Sequence, residues 1–578
     1  MKQYMTASMA ISCLIIFLLS NTSTFAQTNL SINPYQYSIA KIATGTQGAV
    51  SSAHPLASMV GLEILKKGGN AFDAAIAVQL ALAVVYPNAG NIGGGGFLVG
   101  YTKSGKSIAI DFREKAPGSA TRDMYLDSLG NPVNGLSQDG HLSSGVPGTV
   151  AGLFATMKYA NLPFQDLIQP SIDLAEKGFV ITRSEATELN NHQDLFLKYN
   201  TAKTIFTKNE KWKAGDTLIQ KDLAQTLVRI QEHGAKDFYE GMTARLIVEE
   251  MKRGKGKITM EDLASYRAIE REPLKFEYKG HHIIGMPMPS SGAILMLQMM
   301  KMVEERNIGA MGFHSPAAVQ LMIEAERRAF ADRAEFMGDA DFVKVPMKKL
   351  SAPRYIKERM KDFIPGKATP STAVNPGNIS TESKETTHLS IADANGNAVS
   401  VTTTLNGMYG AKTVVGGAGF LLNNEMDDFS IKPGVPNIYG AVGKEANAIA
   451  PGKRMLSSMS PTIVLKNKKP YLVVGTPGGT TIPTSVFQTL LNIIEFNQTA
   501  TDAVDNPKFH HQWLPDQVLV EHDIPKKLID SLHSMGYKST TTAEIGRTEL
   551  IKIQWKGKKS ASFQSIADKR GDDHAVAF

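Results

Sequence analysis

The hydrophobic pattern changes period along the chain. Apolar residues recur at helical spacing from 55 to 86. One amphipathic stretch ends at Gly68-Gly69, Asn70 stands as an N-cap, and 71–85 run almost wholly apolar. A helix apolar on every side is a buried one, packed between a sheet and other helices. A glycine-rich turn at 91–96 leads into a predicted strand at 97–101 and a second at 107–112. The stretch from about 145 to 340 reads mainly as helices with short connections, for example 149–159, 165–177, 223–233 and 317–336. Residues 366–385 are rich in Pro, Ser, Thr, Asn and Gly and lack apolar periodicity, which predicts an exposed, mobile loop. So long a structureless segment inside a folded unit is usually functional or a linker. Beyond it the period becomes two, with strands at 387–392, 398–405, 462–465 and 471–475, then helices at 484–496 and 526–535.

At 578 residues, length alone suggests three or four domains. A surplus of 7 positive charges over this length is mild, and the basic residues are scattered among acids with nothing denser than 466–469. A nucleic-acid-binding protein would need a clustered stripe. The first 26 residues read as a signal peptide: Lys2, an apolar run over 9–19, and Thr24-Phe25-Ala26 as a cleavage site. The run is about half the ~20 residues a membrane-spanning helix needs, so no stable anchor is expected and the protein should be exported to the periplasm or the medium. The single cysteine, Cys13, lies inside that run. The mature chain then has no disulfide, no cysteine-based zinc site and no cysteine nucleophile.

The most informative stretch is 386–404, where two alternating segments flank Asn395-Gly396. A three-residue loop, Ala394-Asn395-Gly396, places Gly396 in the left-handed conformation and pairs Asp393 with Asn397. Continued along the hairpin, that register sets Thr386 directly opposite Thr404, with Cβ atoms about 5 Å apart. Asn406 shares the face of Thr404. A two-residue Asn-Gly turn would shift the register by one and break this pairing; the three-residue loop is preferred. A cut between Glu385 and Thr386 would give Thr386 a free α-amine beside its own hydroxyl. With a reference pKa near 8, that amine is a general base poised close to neutral pH. The mobile loop before it is where scission would be tolerated.

Thr-Thr-His-Leu-Ser at 386–390 with its hairpin resembles the processing site of the γ-glutamyltransferases, members of the N-terminal nucleophile hydrolase superfamily. The likeness extends from about residue 38 to the end. It includes Gly-Gly-Asn-Ala-Phe-Asp-Ala-Ala at 68–75, Asn-Ile-Gly-Gly-Gly-Gly-Phe at 91–97, Asp-Phe-Arg-Glu at 111–114 and Leu-Leu-Asn-Asn-Glu-Met-Asp-Asp-Phe-Ser at 421–430. Further on come Leu-Ser-Ser-Met-Ser-Pro-Thr at 456–462, Gly-Thr-Pro-Gly-Gly at 475–479 and Phe-His-His-Gln-Trp-Leu-Pro at 509–515.

The resemblance implies an α+β, four-layer αββα sandwich built jointly by a large chain, 27–385, and a small catalytic chain, 386–578. These form one intertwined unit, a heterodimer from a single precursor. It implies γ-glutamyl hydrolysis and transfer from glutathione to water or an amino-acid or peptide acceptor, through an ester on Thr386. Thr404 would hold the nucleophile, and the amides of Gly478 and Gly479 would form the oxyanion hole. Arg113, with Ser457 and Ser458, would take the substrate's α-carboxylate. Asp428, Glu425 and Asn406 would take its ammonium. Asp428 discriminates within the scaffold, because relatives that prefer cephalosporin-type acyl groups can do without an ammonium ligand there. Tyr439, in the Pro/Gly-rich stretch 431–448, resembles a gating tyrosine of a lid. No cofactor is expected. His388, His510 and His511 lack acidic partners at helical spacing, so no metal is expected either. The nearest alternative is a cephalosporin or glutaryl acylase on the same scaffold. The alternative of another class is an uncut, non-catalytic periplasmic binding protein.

Overall fold

The computed structural model describes residues 32–374, 386–435, 437, 443–557 and 560–578. The proposed signal segment, Glu385 and Tyr439 lie outside these residues. The helical reading of the N-terminal part holds in detail. Helix α1 (Pro55–Lys66) is followed by α2 (Ala71–Val85), which is buried along its whole length. Asn70 caps α2 by accepting from Phe72 N and Asp73 N, while the Asp73 carboxylate accepts from Asn70 N at 2.7 Å. This reciprocal box fixes the helix start. The helix packs against α1, against α3 (Phe164–Lys177) and against the hairpin that begins at Thr387.

Two seven-stranded antiparallel sheets form the centre. The strands before residue 374 are β1 (Ile42–Gly45), β2 (Gly48–Ser52), β3 (Gly95–Tyr101), β4 (Ser107–Asp111), β5 (Ile269–Arg271), β6 (Leu274–Tyr278) and β7 (His281–Gly285). Those after 386 are β8 (Thr387–Asp393), β9 (Ala398–Thr404), β10 (Thr462–Lys466), β11 (Lys469–Gly475), β12 (Glu549–Lys556), β13 (Ser560–Ile566) and β14 (His574–Ala577). The first sheet runs β14-β2-β8-β9-β3-β4-β5 and the second β1-β13-β12-β11-β10-β7-β6.

Their facing sides share an apolar layer that includes Phe97, Val99, Ile284, Ile463 and Val473. The outer side of the first sheet packs with α1, α2 and α3. The outer side of the second packs with α4 (Gly292–Glu304), α5 (Pro316–Phe336) and α6 (Thr481–Ile494). The result is the αββα sandwich. Each sheet draws strands from both sides of residue 386, which is why length overcounts domains: the described residues from Ile32 onward belong to one unit.

The middle of the chain is mainly helical, as expected, with β5, β6 and β7 in addition; Leu274–Glu277 alternates half-buried and exposed positions and Tyr278 is buried, in a run too short to stand out among helices. One expectation needs correction: the loop expected over 366–385 is not exposed throughout its described part. Residues Ser371–Ala373 form a 3₁₀ turn, and Ser371 and Val374 are buried. The indole N–H of Trp513 donates to the carbonyls of Ser371 (3.1 Å) and Val374 (2.8 Å), and Ser371 N donates to Asp516 at 2.7 Å. Polar side chains thus substitute for the periodicity that was missing.

Candidate active site

The hairpin adopts the register read from its turn. Asp393 N donates to Asn397 O at 3.1 Å, Gly396 N donates to Asp393 O at 3.2 Å, and Gly396 has φ of 95°. The Asp393 carboxylate locks the loop by accepting from Asn395 N, Asn397 N and Asn397 Nδ2. It also accepts from Ala71 N at 3.0 Å, a negative charge at the start of α2. Pairing runs from Ala392 with Ala398 outward to Thr387 with Thr403. Thr386 stands one residue before β8, and one further step of that register sets it opposite Thr404. It is 4% exposed.

The glycine-rich turn at 91–96 braces the far end of this hairpin. Asn91 Nδ2 donates to Thr404 O at 2.9 Å, and its Oδ1 accepts from Gly94 N and from Thr149 Oγ1. A Cβ on Gly94 would fall 2.1 Å from Thr404 O, so only glycine permits the approach. Thr404 Oγ1 accepts from Asn406 N at 2.7 Å, and Asn406 adopts φ of 76°. The Asn406 amide then donates to Asn424 O at 3.0 Å. In this way the end of β9 opposite Thr386 is tied to the acidic 3₁₀ turn Glu425–Asp428.

Arg113 leaves the end of β4 and is fully buried. Its Nη1 donates to Glu425 and its Nη2 to Asp428, with Glu114 3.7 Å away and Nε donating to Met455 O at 3.3 Å. The arginine and the two acids that the resemblance sends to opposite ends of a substrate are therefore already paired with one another. Burial alone would lower the guanidinium pKa; Glu425, Asp428 and Glu114 outweigh it and push it up. Burial raises all three carboxyls against the pull of Arg113, Glu425 far above its usual range and Glu114 to about 7. The three carboxyls repel one another's charge in a dry pocket, while Arg113 and, for Asp428, Arg333 pull the other way. Asp428 is the member open to the cleft, with 15% of its side chain exposed.

The turn from β11 into α6 brings Gly478 (φ 132°) and Gly479 (φ 56°) to a helix N-terminus. Backbone N–H groups and the helix dipole favour negative charge at such a point. One narrow cleft gathers Arg113, Thr386, Thr404, Asn406, Glu425, Asp428, Ser457, Ser458 and Gly479. Gly478 lines the adjoining cleft. Arg333, Asn437, Met459, Thr480 and Ile482 also line the first cleft, and sequence reasoning missed them. Asn437 Nδ2 donates to Asp428 at 3.1 Å, and Arg333 Nε, from α5, donates to Ser291 Oγ at 3.1 Å. The signal for Arg333 was present but ambiguous: α5 carries Glu, Arg and Asp among alanines, which ordinarily marks a solvated face.

The histidines serve the scaffold. His388 is buried with its ring against Gly475 of β11 and hydrogen bonds to Thr402 and Ser390; burial pushes its pKa down to about 3. His510 bonds Thr484 and Gln512, and His511 sits 3.4 Å from Asp516.

Two packed antiparallel sheets with a buried hydroxyl residue at the start of a central strand are the frame of the N-terminal nucleophile hydrolases. The family model described as Gamma-glutamyltranspeptidase matches residues 57–578. The glutathione hydrolase proenzyme of Escherichia coli (strain K12) is 47% identical over 511 residues, covering 88% of each chain. Among solved structures, a cephalosporin acylase from Bacillus halodurans superposes with a TM-score of 0.82 at 27% identity, covering 95% of this chain and 99% of that one. A Helicobacter pylori gamma-glutamyltranspeptidase chain gives a TM-score of 0.55 at 47% identity, covering 56% of this chain and 94% of its own. The chain belongs to the gamma-glutamyltranspeptidase family, and it is a hydrolase and transferase enzyme.

Proposed function

We propose that this chain cuts itself between Glu385 and Thr386 and then hydrolyses and transfers γ-glutamyl groups, glutathione being the type substrate. The observation that carries this reading is Thr386, placed one step before a central strand, opposite Thr404 and in one cleft with Arg113, Asp428 and Gly479. In the precursor the Thr386 hydroxyl oxygen attacks the Glu385 carbonyl carbon. The C–N bond breaks, the acyl group passes to oxygen, and water hydrolyses the ester to leave a Glu385 carboxylate and a free Thr386 amine. The products are a large chain, 27–385, and a small chain, 386–578.

In the mature enzyme the α-amine takes the hydroxyl proton as Thr386 Oγ attacks the γ-carbonyl carbon. The amides of Gly478 and Gly479 stabilise the oxyanion, and the departing amine leaves with the proton. Thr404 holds the nucleophile. Water or an acceptor amine then opens the ester and restores the hydroxyl.

Charge balance favours a γ-glutamyl donor. A substrate α-carboxylate shares the Arg113 fork with Ser457 and Ser458, which frees part of the charge of Glu425 and Asp428 for the α-ammonium beside Asn406. The inserted zwitterion leaves the net charge of the buried cluster unchanged. A glutaryl group brings no ammonium and leaves those acids uncompensated. Removal of residues 1–26 on export to the periplasm or the medium is part of the same reading; among the described residues no helix is long and apolar enough to cross a membrane.

Intact-mass measurement should find two chains, the second beginning at Thr386, and Thr386→Ala should remain one inactive chain. γ-Glutamyl-p-nitroanilide should be turned over and glutaryl-p-nitroanilide should not. A cut and active Thr386→Ala protein sinks the mechanism, and comparable turnover of both anilides would favour the acylase reading.

A further inference from the structure

A second cleft, of about 250 Å³, lies on the other side of the Gly478-Gly479 turn; Tyr86, Met408, Gly478 and Arg547 are among its walls. The two clefts meet along two loops. Asn406 and Gly479 face the first, and Met408 and Gly478 face the second. The loop carrying Arg547 is fastened to this junction. A Cβ placed on Gly478 would lie 3.4 Å from Gly546 Cα, and Arg547 N donates to Thr476 Oγ1 at 2.8 Å, two residues before Gly478. The Arg547 side chain is steered as well: its Nη2 donates to Tyr86 Oη, and the guanidinium lies 5.6 Å from the centre of that ring. Tyr86 is buried at the end of α2, so the cation is held by a rigid partner.

We propose that this cleft receives the amine side of the reaction, first the departing dipeptide and then the acceptor, and that Arg547, set by Tyr86, binds its terminal carboxylate. The inference rests on the γ-glutamyl reading of the first cleft. A carbonyl seated on the Gly478 and Gly479 amides has its acyl part among Arg113 and Asp428, so its amine part must leave on the Gly478 side. A dipeptide spans about 7 Å at roughly 3.5 Å per residue, so its carboxylate lies beyond the Gly478 turn, in the cleft that Arg547 lines. A planar guanidinium suits a carboxylate.

Glu185, Glu188, Glu544 and Asp572 also line the cleft, as does a second arginine, Arg570, paired with Glu521 and Asp568. The surrounding field opposes a second negative charge on the bound peptide and tolerates a positive one. In the transfer step the acceptor nitrogen bonds to the γ-carbonyl carbon, the Thr386 Oγ–carbon bond breaks, and the proton lost by nitrogen returns to Oγ.

The test uses the mature two-chain enzyme and its Arg547→Gln and Arg547→Lys variants, with ratios read within each protein. The first ratio is kcat/KM for glutathione over kcat/KM for γ-glutamyl-p-nitroanilide, whose leaving group has no carboxylate. The second is kcat/KM for glycylglycine over glycylglycinamide as acceptor. Arg547→Gln should lower both by about 10- to 100-fold, the loss of one charge-assisted hydrogen bond, and Arg547→Lys should recover part of each. Ratios in Arg547→Gln equal to wild type overturn the proposal, as does a uniform loss on all substrates. Wild-type enzyme that turns over neither donor overturns the γ-glutamyl reading itself and this proposal with it.

Discussion

Replacing Thr404 by valine removes one oxygen while nearly preserving shape, and the structure sets the size of the effect. That oxygen accepts from the backbone N–H of Asn406, which is 2% exposed, at 2.7 Å. A buried donor left without its partner costs about 1–3 kcal/mol. The cost falls on a residue already in the left-handed region at φ of 76°, a conformation that asparagine tolerates when local hydrogen bonds hold it. Once that bond is lost, Asn406 retains its side-chain contact with Asn424 O but loses its tie to the strand facing Thr386. On the proposed mechanism, scission and turnover both need Thr386 positioned within a fraction of an ångström. A loss of about 1.4–2.7 kcal/mol in that positioning slows each by about 10- to 100-fold. The assay follows appearance of the two chains on a denaturing gel, then anilide hydrolysis by the processed fraction, with urea unfolding as the control for folding. Thr404→Ser keeps the oxygen and should stay within a few-fold of wild type. A Thr404→Val protein that processes and turns over normally refutes the reasoning, and so does a serine variant as impaired as valine.

Other substitutions address the rest of the site. Arg113→Lys replaces a two-pronged donor with a point charge among three acids, so KM for the donor should rise about tenfold or more, measured by initial rates; an unchanged KM would remove Arg113 from the carboxylate site. Gly475→Ala would set a Cβ 2.2 Å from His388 Cε1, where the two sheets touch. It should destabilise the protein by about 1–3 kcal/mol or more and slow scission by shifting β8; unaltered urea midpoints would contradict that packing. Burial holds His574 at about 4, below its ordinary value, so its stabilising contribution is complete above pH 6.5 and lost as pH falls towards 4. The buried carboxyls Glu326 and Glu549, pushed up, titrate in the opposite sense, so only a difference is diagnostic. His574→Asn should gain on wild type by on the order of a few kcal/mol between pH 6.5 and 4 in paired unfolding curves; parallel curves would exclude it.

Much of the site's frame was legible because it is local. A fifteen-residue apolar run behind an asparagine cap can be little else than a buried helix, and α2 begins where the cap stands. The Ala394-Asn395-Gly396 loop dictates register through the left-handed glycine, and that register carries Thr386 to Thr404 without any knowledge of the sheets around them. What the tertiary structure decided is everything that joins distant segments. Arg113 and Glu425 lie 312 positions apart, and their pairing and the approach of Arg333 and Asn437 exist only once both sheets are packed. Strands β5, β6 and β7 are hard to pick out among helices because they are three to five residues long, and β5 and β6 lie at sheet edges where one neighbour decides their identity. The second cleft had no sequence signal, since Tyr86 and Arg547 meet across 461 positions. Turn chemistry and periodicity act over a few residues, whereas burial and charge pairing act through space, so the place of Thr386 opposite Thr404 could be read from the chain and its surroundings could not.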